Sequence, residues 1–407
     1  MRRPLPPGFG VIWTTVALDL VGFGIILPVL PRFAEDAGAS PTVAGILVAS
    51  FSVAQLLFAP VWGRVSDRTG RKPVLIVSLV GTAIGSLLTG LAGSALWLLF
   101  LGRIVDGASG ASVSVAQASV TDLAPPAERA RLLGLLGAAF GAGFALGPAI
   151  GGLAALVDHR LPFFLAAAIA GVNALAAVKR LPETRTEHSG VDQTRIRASV
   201  TPERGEVGGL LPLIVVAFVA VVAFSAFEAT FSLLAKDRFG LTESATYGVF
   251  FVIGVAIVVV QAGLIHRVVD KLGEAATIRV GLACNTIGLV FVAIDGGWTT
   301  LTPGLALLVV GQGLLIPTLT SAVAGRARRE SRGTVLGFQQ SAGGLARVVG
   351  PAAGGALFEH AGAAAPYVVG AALAALALSL VPTGVGVEEA PAIAAARGPG
   401  GRPPGRN

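Results

Sequence analysis

A chain of 407 residues that is 54% hydrophobic and only 13% charged, with mean hydropathy +0.78, carries about half the charge that a soluble domain needs to cover its surface. This composition excludes a water-soluble globular protein. The lone Cys284 and four scattered histidines exclude disulfides and metal centres built on thiolates or clustered imidazoles. A net charge of +7 does not point to nucleic acid here, because the basic residues sit at the ends of apolar segments with almost no aromatic residues between them.

Apolar stretches of about 20 residues, long enough to cross a roughly 30 Å hydrocarbon core as helix, predict twelve spans. The first six are Gly10–Pro31, Val43–Trp62, Pro73–Leu91, Ala95–Ala118, Leu132–Val157 and Pro162–Val178. The second six are Leu210–Leu234, Ala245–Ile265, Ala275–Ile294, Leu301–Ala324, Thr334–Phe358 and Ala363–Val381. The first segment is too long for a signal-peptide core and lacks a cleavage site, so it reads as a retained helix. The expected fold is an all-α integral membrane protein. Residues 1–178 form one six-helix bundle, 179–209 a polar cytoplasmic linker, 210–382 a second bundle and 383–407 a disordered tail rich in Gly, Pro, Ala and Arg.

Charge bias sets the expected orientation. With both termini inside, 24 of the 30 Lys and Arg fall on the cytoplasmic side. Only Arg32, Arg160, Lys236 and Arg238 fall outside, and Arg103 and Arg347 lie within helices. The chain also repeats. Asp67 and Gly70 recur as Asp270 and Gly273, and Gly147, Pro148, Gly151 and Gly152 recur as Gly350, Pro351, Gly354 and Gly355, each pair 203 residues apart. Six helices per repeat place both copies in the same orientation, related by an axis along the membrane normal.

Four segments carry chemistry. The first helix contains Asp19 within Leu18-Asp19-Leu-Val-Gly-Phe-Gly24 and ends in Pro28 and Pro31. The loop after the second helix reads Gly63-Arg-Val-Ser-Asp67-Arg68-Thr-Gly70-Arg71-Lys72-Pro. Its two glycines permit a tight turn, its cations anchor at headgroups, and Asp67 is placed to cap a helix or pair with an Arg. The fourth helix carries Arg103 and Asp106, three apart on one face and able to neutralise each other. The fifth carries Gly143-Phe-Ala-Leu-Gly147-Pro148-Ala-Ile-Gly151-Gly152, small residues that let helices approach closely, with a proline that removes a backbone bond.

The loop resembles the signature of the major facilitator superfamily, which implies a conformational latch at Gly63, Asp67, Arg68, Gly70 and Arg71. The fifth-helix run is similar to the antiporter signature of that family, implying a hinge at Gly143, Gly147, Pro148, Gly151 and Gly152. The fourth-helix run resembles a family motif whose Arg is implicated in proton transfer, with Asp106 standing where a neutral polar residue is more usual. Over roughly the first 155 residues the chain is most similar to proton-coupled drug exporters that include the tetracycline exporters. It departs from the latter at Gly85, where they carry an acid, which points away from tetracycline itself.

An ionisable group near mid-bilayer costs about 2.5–3.5 kcal/mol on insertion scales and is a functional candidate by default. Five are present: Asp19, Arg103, Asp106, Glu228 and Arg347. All fall on helices one, four, seven and eleven, which in the resembled family line or flank a central cavity. Asp19 has no cation close in sequence and is the first candidate for proton coupling. Asp106 sits beside Arg103, while Glu228 and Arg347 are expected to pair across the second half as bridge or gate. Gln55, Gln261, Gln312, Gln339 and Gln340 are candidate cavity groups, and Asn173 and Asn285 are read as packing hydrogen bonds.

These features predict a monomeric secondary transporter in a bacterial plasma membrane that exports small amphipathic molecules in exchange for protons. No cofactor, metal or nucleic-acid partner is expected, and no enzymatic activity. The absence of a Gly-x4-Gly-Lys-Ser/Thr loop leaves an ion gradient as the energy source. The alternatives are a proton-coupled importer or facilitator of a polar metabolite, or a non-transporting membrane sensor. The first would want a cavity richer in Asn, Gln, Trp and Tyr, and the second degraded motifs or an added soluble domain.

Overall fold

The computed structural model describes residues 5–124, 128–184, 204–327 and 332–381. Most of the expected linker and the whole expected tail lie outside the described residues. The described residues are almost entirely helical, as apolar segments must be where lipid offers no partners for backbone N–H and C=O groups.

The first half contains α1 (Phe9–Ile26), α2 (Leu30–Asp36), α3 (Pro41–Thr69), α4 (Arg71–Leu91), α5 (Leu96–Ser109), α6 (Ser112–Leu123), α7 (Arg129–Ala155) and α8 (Leu161–Arg180). The second half contains α9 (Arg204–Phe239), α10 (Glu243–Val259), a π-helical turn (Val260–Leu264), α11 (Ile265–Ala293), α12 (Trp298–Arg326), α13 (Arg332–Ala361) and α14 (Ala365–Leu380). Helices α1 and α2 together make one span, as do α5 and α6. Helix α11 holds the end of one span and the whole of the next, divided at Gly273. Twelve spans result among the described residues.

Local chemistry places the ends. Ser40 caps α3 by accepting from the amide of Val43, with Pro41 in the first turn. Thr242 caps α10 in the same way through Ala245. Helix α3 runs well past the predicted Trp62 and stops only at Gly70, whose φ of +107° admits no β-carbon cheaply. Gly273 takes the matching conformation at φ +77°, so the second half repeats this break. Gly63 corrects the expectation of a two-glycine turn: it lies inside α3, one full helical stretch before the break.

Each half is a bundle in which α1 packs on α7 and α4 on α5 and α8, mirrored by α9 on α13 and by α11 on α12 and α14. The repeated glycines account for the closeness. A β-carbon on Gly147 would lie 2.5 Å from the carbonyl carbon of Gly24, and one on Gly24 would strike the carbonyl oxygen of Gly143. Without a hydrophobic effect between helices in lipid, such contact is what holds the bundle together. One buried apolar cluster, around Ile25, Leu47 and Phe163, also takes in Tyr247 of the second half.

Candidate functional site

The fourth span is broken, and the break is built. Helix α5 ends at Ser109, the chain passes Gly110 and Ala111, and α6 begins at Ser112. A break inside the bilayer frees carbonyls that must find donors. Trp62 Nε1 donates to the carbonyl of Ala108 at 2.6 Å, Ser78 Oγ to that of Ser109 at 2.5 Å, and Gln55 Nε2 to that of Gly110 at 3.0 Å. Ser78 Oγ also accepts from the amide of Ala111 at 3.1 Å. The sequence reading missed this break; its signal was the Gly107-Ala-Ser-Gly110-Ala111 run in an otherwise apolar helix.

The two acids of the first half meet this break from opposite sides. Ser112, the first residue of α6, donates its hydroxyl to Asp19 Oδ2, while Asp19 Oδ1 is buried with no hydrogen-bond partner. Arg103 and Asp106 form the expected ion pair, Nη1 to Oδ2 at 2.9 Å, with side chains only 2% and 6% exposed. The Arg103 guanidinium also stands 4.5 Å from the ring centroid of Phe51, a cation–π contact strengthened by desolvation. The charge of Asp106 reaches Asp19, so the three ionisable groups form one electrostatic cluster. Gly85 packs directly beneath it: a β-carbon there would lie 2.6 Å from the Gly102 carbonyl oxygen and 2.7 Å from Asp106 Cβ.

In the second half, Glu228 on α9 and Arg347 on α13 feel each other's charge. They make no direct ion pair, which corrects the expected bridge: an electrostatic coupling stands in its place. Glu228 borders a cavity of about 20 Å³ between the halves, lined on one side by Gly24, Pro28 and Pro148 and on the other by Phe227 and Ile253. That is room for about one water molecule. Arg347 and Gln340 are exposed, Gln55, Gln261 and Gln339 are half-buried, and Gln312 is buried. Gln261 lies on the π-helical turn of the eighth span, a feature the sequence did not announce and one that often marks functional sites. Asn173 makes the packing bond expected of it, donating to the carbonyl of Thr15 at 2.8 Å.

The halves are drawn together at the end of the bundle poor in basic residues. Lys236 on α9 lies 3.5 Å from Glu35 and 3.3 Å from Asp36, and Arg32 donates to the carbonyl of Leu241 at 2.6 Å. Glu359 accepts from the amide of Thr42 at 2.9 Å. It lies one residue beyond the predicted eleventh span, and hydrogen bonding from the Thr42 and Ser40 turn holds its carboxyl down at about 2. Glycines seat the helices beneath these contacts. A β-carbon on Gly152 would come within 2.7 Å of Tyr247 Cβ, and one on Gly45 would strike the Pro351 carbonyl oxygen.

The chain as a whole has known relatives. The family model described as Major Facilitator Superfamily matches residues 12–350, with a second match over 264–403. The chain belongs to the Major Facilitator Superfamily. It is 33% identical over 345 residues to the class E tetracycline resistance protein of Escherichia coli, covering 83% of this chain and 84% of that one. It is 32% identical over 361 residues to multidrug resistance protein 2 of Bacillus subtilis strain 168, covering 86% and 88%. Among solved structures it superposes on the human organic anion transporter MFSD10 (TETRAN) with TM-score 0.71 at 26% identity, over 93% of this chain and 100% of that one.

In this facilitator the signature loop is a charge network. Arg71 bonds Asp67 at 2.8 Å, Ser66 at 2.7 Å and, across to α6, Asp122 at 3.0 Å. Glu183, just beyond α8, accepts from the amides of Arg71 at 2.9 Å and Lys72 at 3.2 Å, occupying the positive end of α4. The loop thus ties α3, α4, α6 and the exit of α8 together. The fifth-helix run serves two partners. Gly143 and Gly147 face α1 in their own half, whereas Gly151 and Gly152 also meet Tyr247 of the other. Its copy does the same, with Gly350 against α9 and Gly355 against Pro41 and Gly45 of α3.

Proposed function

We propose that this facilitator exports small amphipathic molecules in exchange for protons, by rocking its two halves about a midplane site. The observation that carries the reading is Asp19: one carboxylate oxygen bound to Ser112 at the start of a broken helix, the other buried without a partner. A buried acid at membrane depth, with no cation of its own and a second, paired acid near it, is the arrangement that a proton carrier needs. Similarity over most of the chain to proteins named for tetracycline and multidrug resistance supports the direction and the substrate class.

The basic-rich end then faces the cytoplasm of a bacterial cell, with both termini inside, and the contacts between the halves close the outward end. Asp67 and its network latch one state, the Gly147-Pro148 region flexes between states, and Glu228 with Arg347 responds from the second half. Gln261, Gln312, Gln339 and Gln340 offer hydrogen bonds to the passing molecule, while Gln55 holds the break at Gly110. Each monomer carries a complete path.

The test is proton release from energised inside-out vesicles on adding a panel of lipophilic cations, zwitterions and organic anions. Release by some of these compounds, abolished in Asp19→Asn, is the expected outcome. Release that survives the substitution would keep the export reading and move the coupling to Asp106 or Glu228. Silence toward every compound, with the protein shown to be folded and inserted, would overturn the export reading in favour of polar-metabolite uptake.

A further inference from the structure

We propose that the groove between α4 and α8 is a binding site for an anionic phospholipid, holding one acyl chain along its apolar floor and the phosphate between Lys72 and Lys179. The groove has a volume of about 290 Å³ and an entirely aliphatic and glycine lining. From Ile76 to Leu87 it runs about 17 Å at helical rise, close to the roughly 15 Å half-thickness of a hydrocarbon core. It is therefore one leaflet long. The two helices are antiparallel, so the Ile76 end of one wall meets the Val178 end of the other.

The register of each wall places a cation at that same end. On α4 the lining row Ile84, Val80, Ile76 steps by four residues, and the next step is Lys72. On α8 the row Gly171, Leu175 also steps by four, and its next step is Lys179. Residues four apart share a helix face, so both lysines continue the groove walls to the headgroup level. Lys179 is exposed and Lys72 partly so, and no ion pair occupies either among the described residues. Glu183, beside this mouth, is engaged by the amides of α4's first turn. The repeat supplies an internal contrast: 203 residues on, the two lysine positions hold Ala275 and Pro382. The second half's cation at this end, Arg279, stands where the first half has Ile76 and donates to the carbonyl of Val381 at 3.2 Å, so the pair of lysines marks one half only. Basic pockets between spans suit anionic headgroups, and each Lys near the surface is worth about a fivefold gain in binding.

Native mass spectrometry of the purified full chain, titrated with phosphatidylglycerol and phosphatidylcholine of the same acyl chains, tests this reading. The wild type is expected to favour phosphatidylglycerol, and Lys72→Ala with Lys179→Ala to lose that preference by about twentyfold or more. Gly171→Leu should weaken both lipids, because a β-carbon there meets nothing within 4 Å and the larger side chain fills the groove while the bundle stays folded. Unchanged phosphatidylglycerol binding in the double variant would overturn the headgroup assignment. Unchanged binding in Gly171→Leu would overturn the acyl-chain assignment. Displacement by free glycerol phosphate would show a soluble-anion site instead and overturn the lipid reading. Proton-coupled export does not enter any of these outcomes.

Discussion

Arg103 and Asp106 show how a single ion pair is tolerated at membrane depth. Removing one partner leaves the other charge buried and alone, which costs about 3–5 kcal/mol, whereas replacing both with apolar side chains of similar size is often close to neutral. Arg103→Leu should therefore unfold at a clearly lower temperature than wild type in detergent, and Arg103→Leu with Asp106→Leu should recover most of the loss. A double variant as unstable as the single one would mean that Arg103 is held mainly by its contact with Phe51. Asp19 behaves differently because no cation faces it. Its substitution by Asn preserves shape and should leave thermal stability nearly unchanged while abolishing coupled proton movement.

At the scale of the element, the break between α5 and α6 depends on three side chains from neighbouring helices. Trp62→Phe leaves the Ala108 carbonyl without its indole donor, and a buried acceptor left unmade costs about 1–3 kcal/mol. The same loss should appear in Ser78→Ala, with hydrogen exchange faster at residues 109–112 in both. Exchange confined elsewhere would show that the break is held by helix packing alone. The apolar pattern of the fourth span was legible as one helix; its division was not, because the donors that stabilise it lie on α3 and α4. Gly63 failed as a turn residue for the converse reason. A glycine in sequence does not say which glycine breaks the helix, and here the network around Arg71 and Glu183 selects Gly70.

Across the whole molecule, packing is symmetric and chemistry is not. The glycines of α7 recur in α13, but the positions 203 residues from Asp19, Arg103 and Asp106 hold Val222, Ala306 and Val309. The second copy of the glycine run has a present task, because Gly355 seats α13 against α3 across the interface. Gly355→Leu should therefore shift the conformational equilibrium away from the state seen here, with distances between spin labels at the ends of α3 and α13 lengthening. Unmoved distances would assign Gly355 to packing within its own half. In a Cys284→Ser background, Thr42→Cys with Glu359→Cys should cross-link and stop transport until reduced. Glu359 itself is no pH switch. Its carboxyl is depressed to about 2, so its contribution is fully present above the ordinary carboxylate value of 4.5 and is lost only as pH falls through about 2. The Thr42–Glu359 distance should stay constant between about pH 5 and 8, which leaves the response to protons with the spanning acids.

Apolar segment length, the bias of Lys and Arg, and the 203-residue repeat are enough to derive twelve spans in two alike halves from the sequence alone. The physical reason is that the bilayer imposes helix length and terminal charge locally, one segment at a time. The same reasoning located Asp19, Arg103 and Asp106, since a charge inside an apolar run stands out without any knowledge of its neighbours, and it paired Arg103 with Asp106 because they share a helix face. It did not reveal the partnerless oxygen of Asp19, the satisfied break at Gly110, the π-helical turn at Gln261 or the separation of Glu228 from Arg347. Those depend on which helices approach one another and how closely. That is decided by glycine contacts between segments far apart in the chain, which only the tertiary structure brings together.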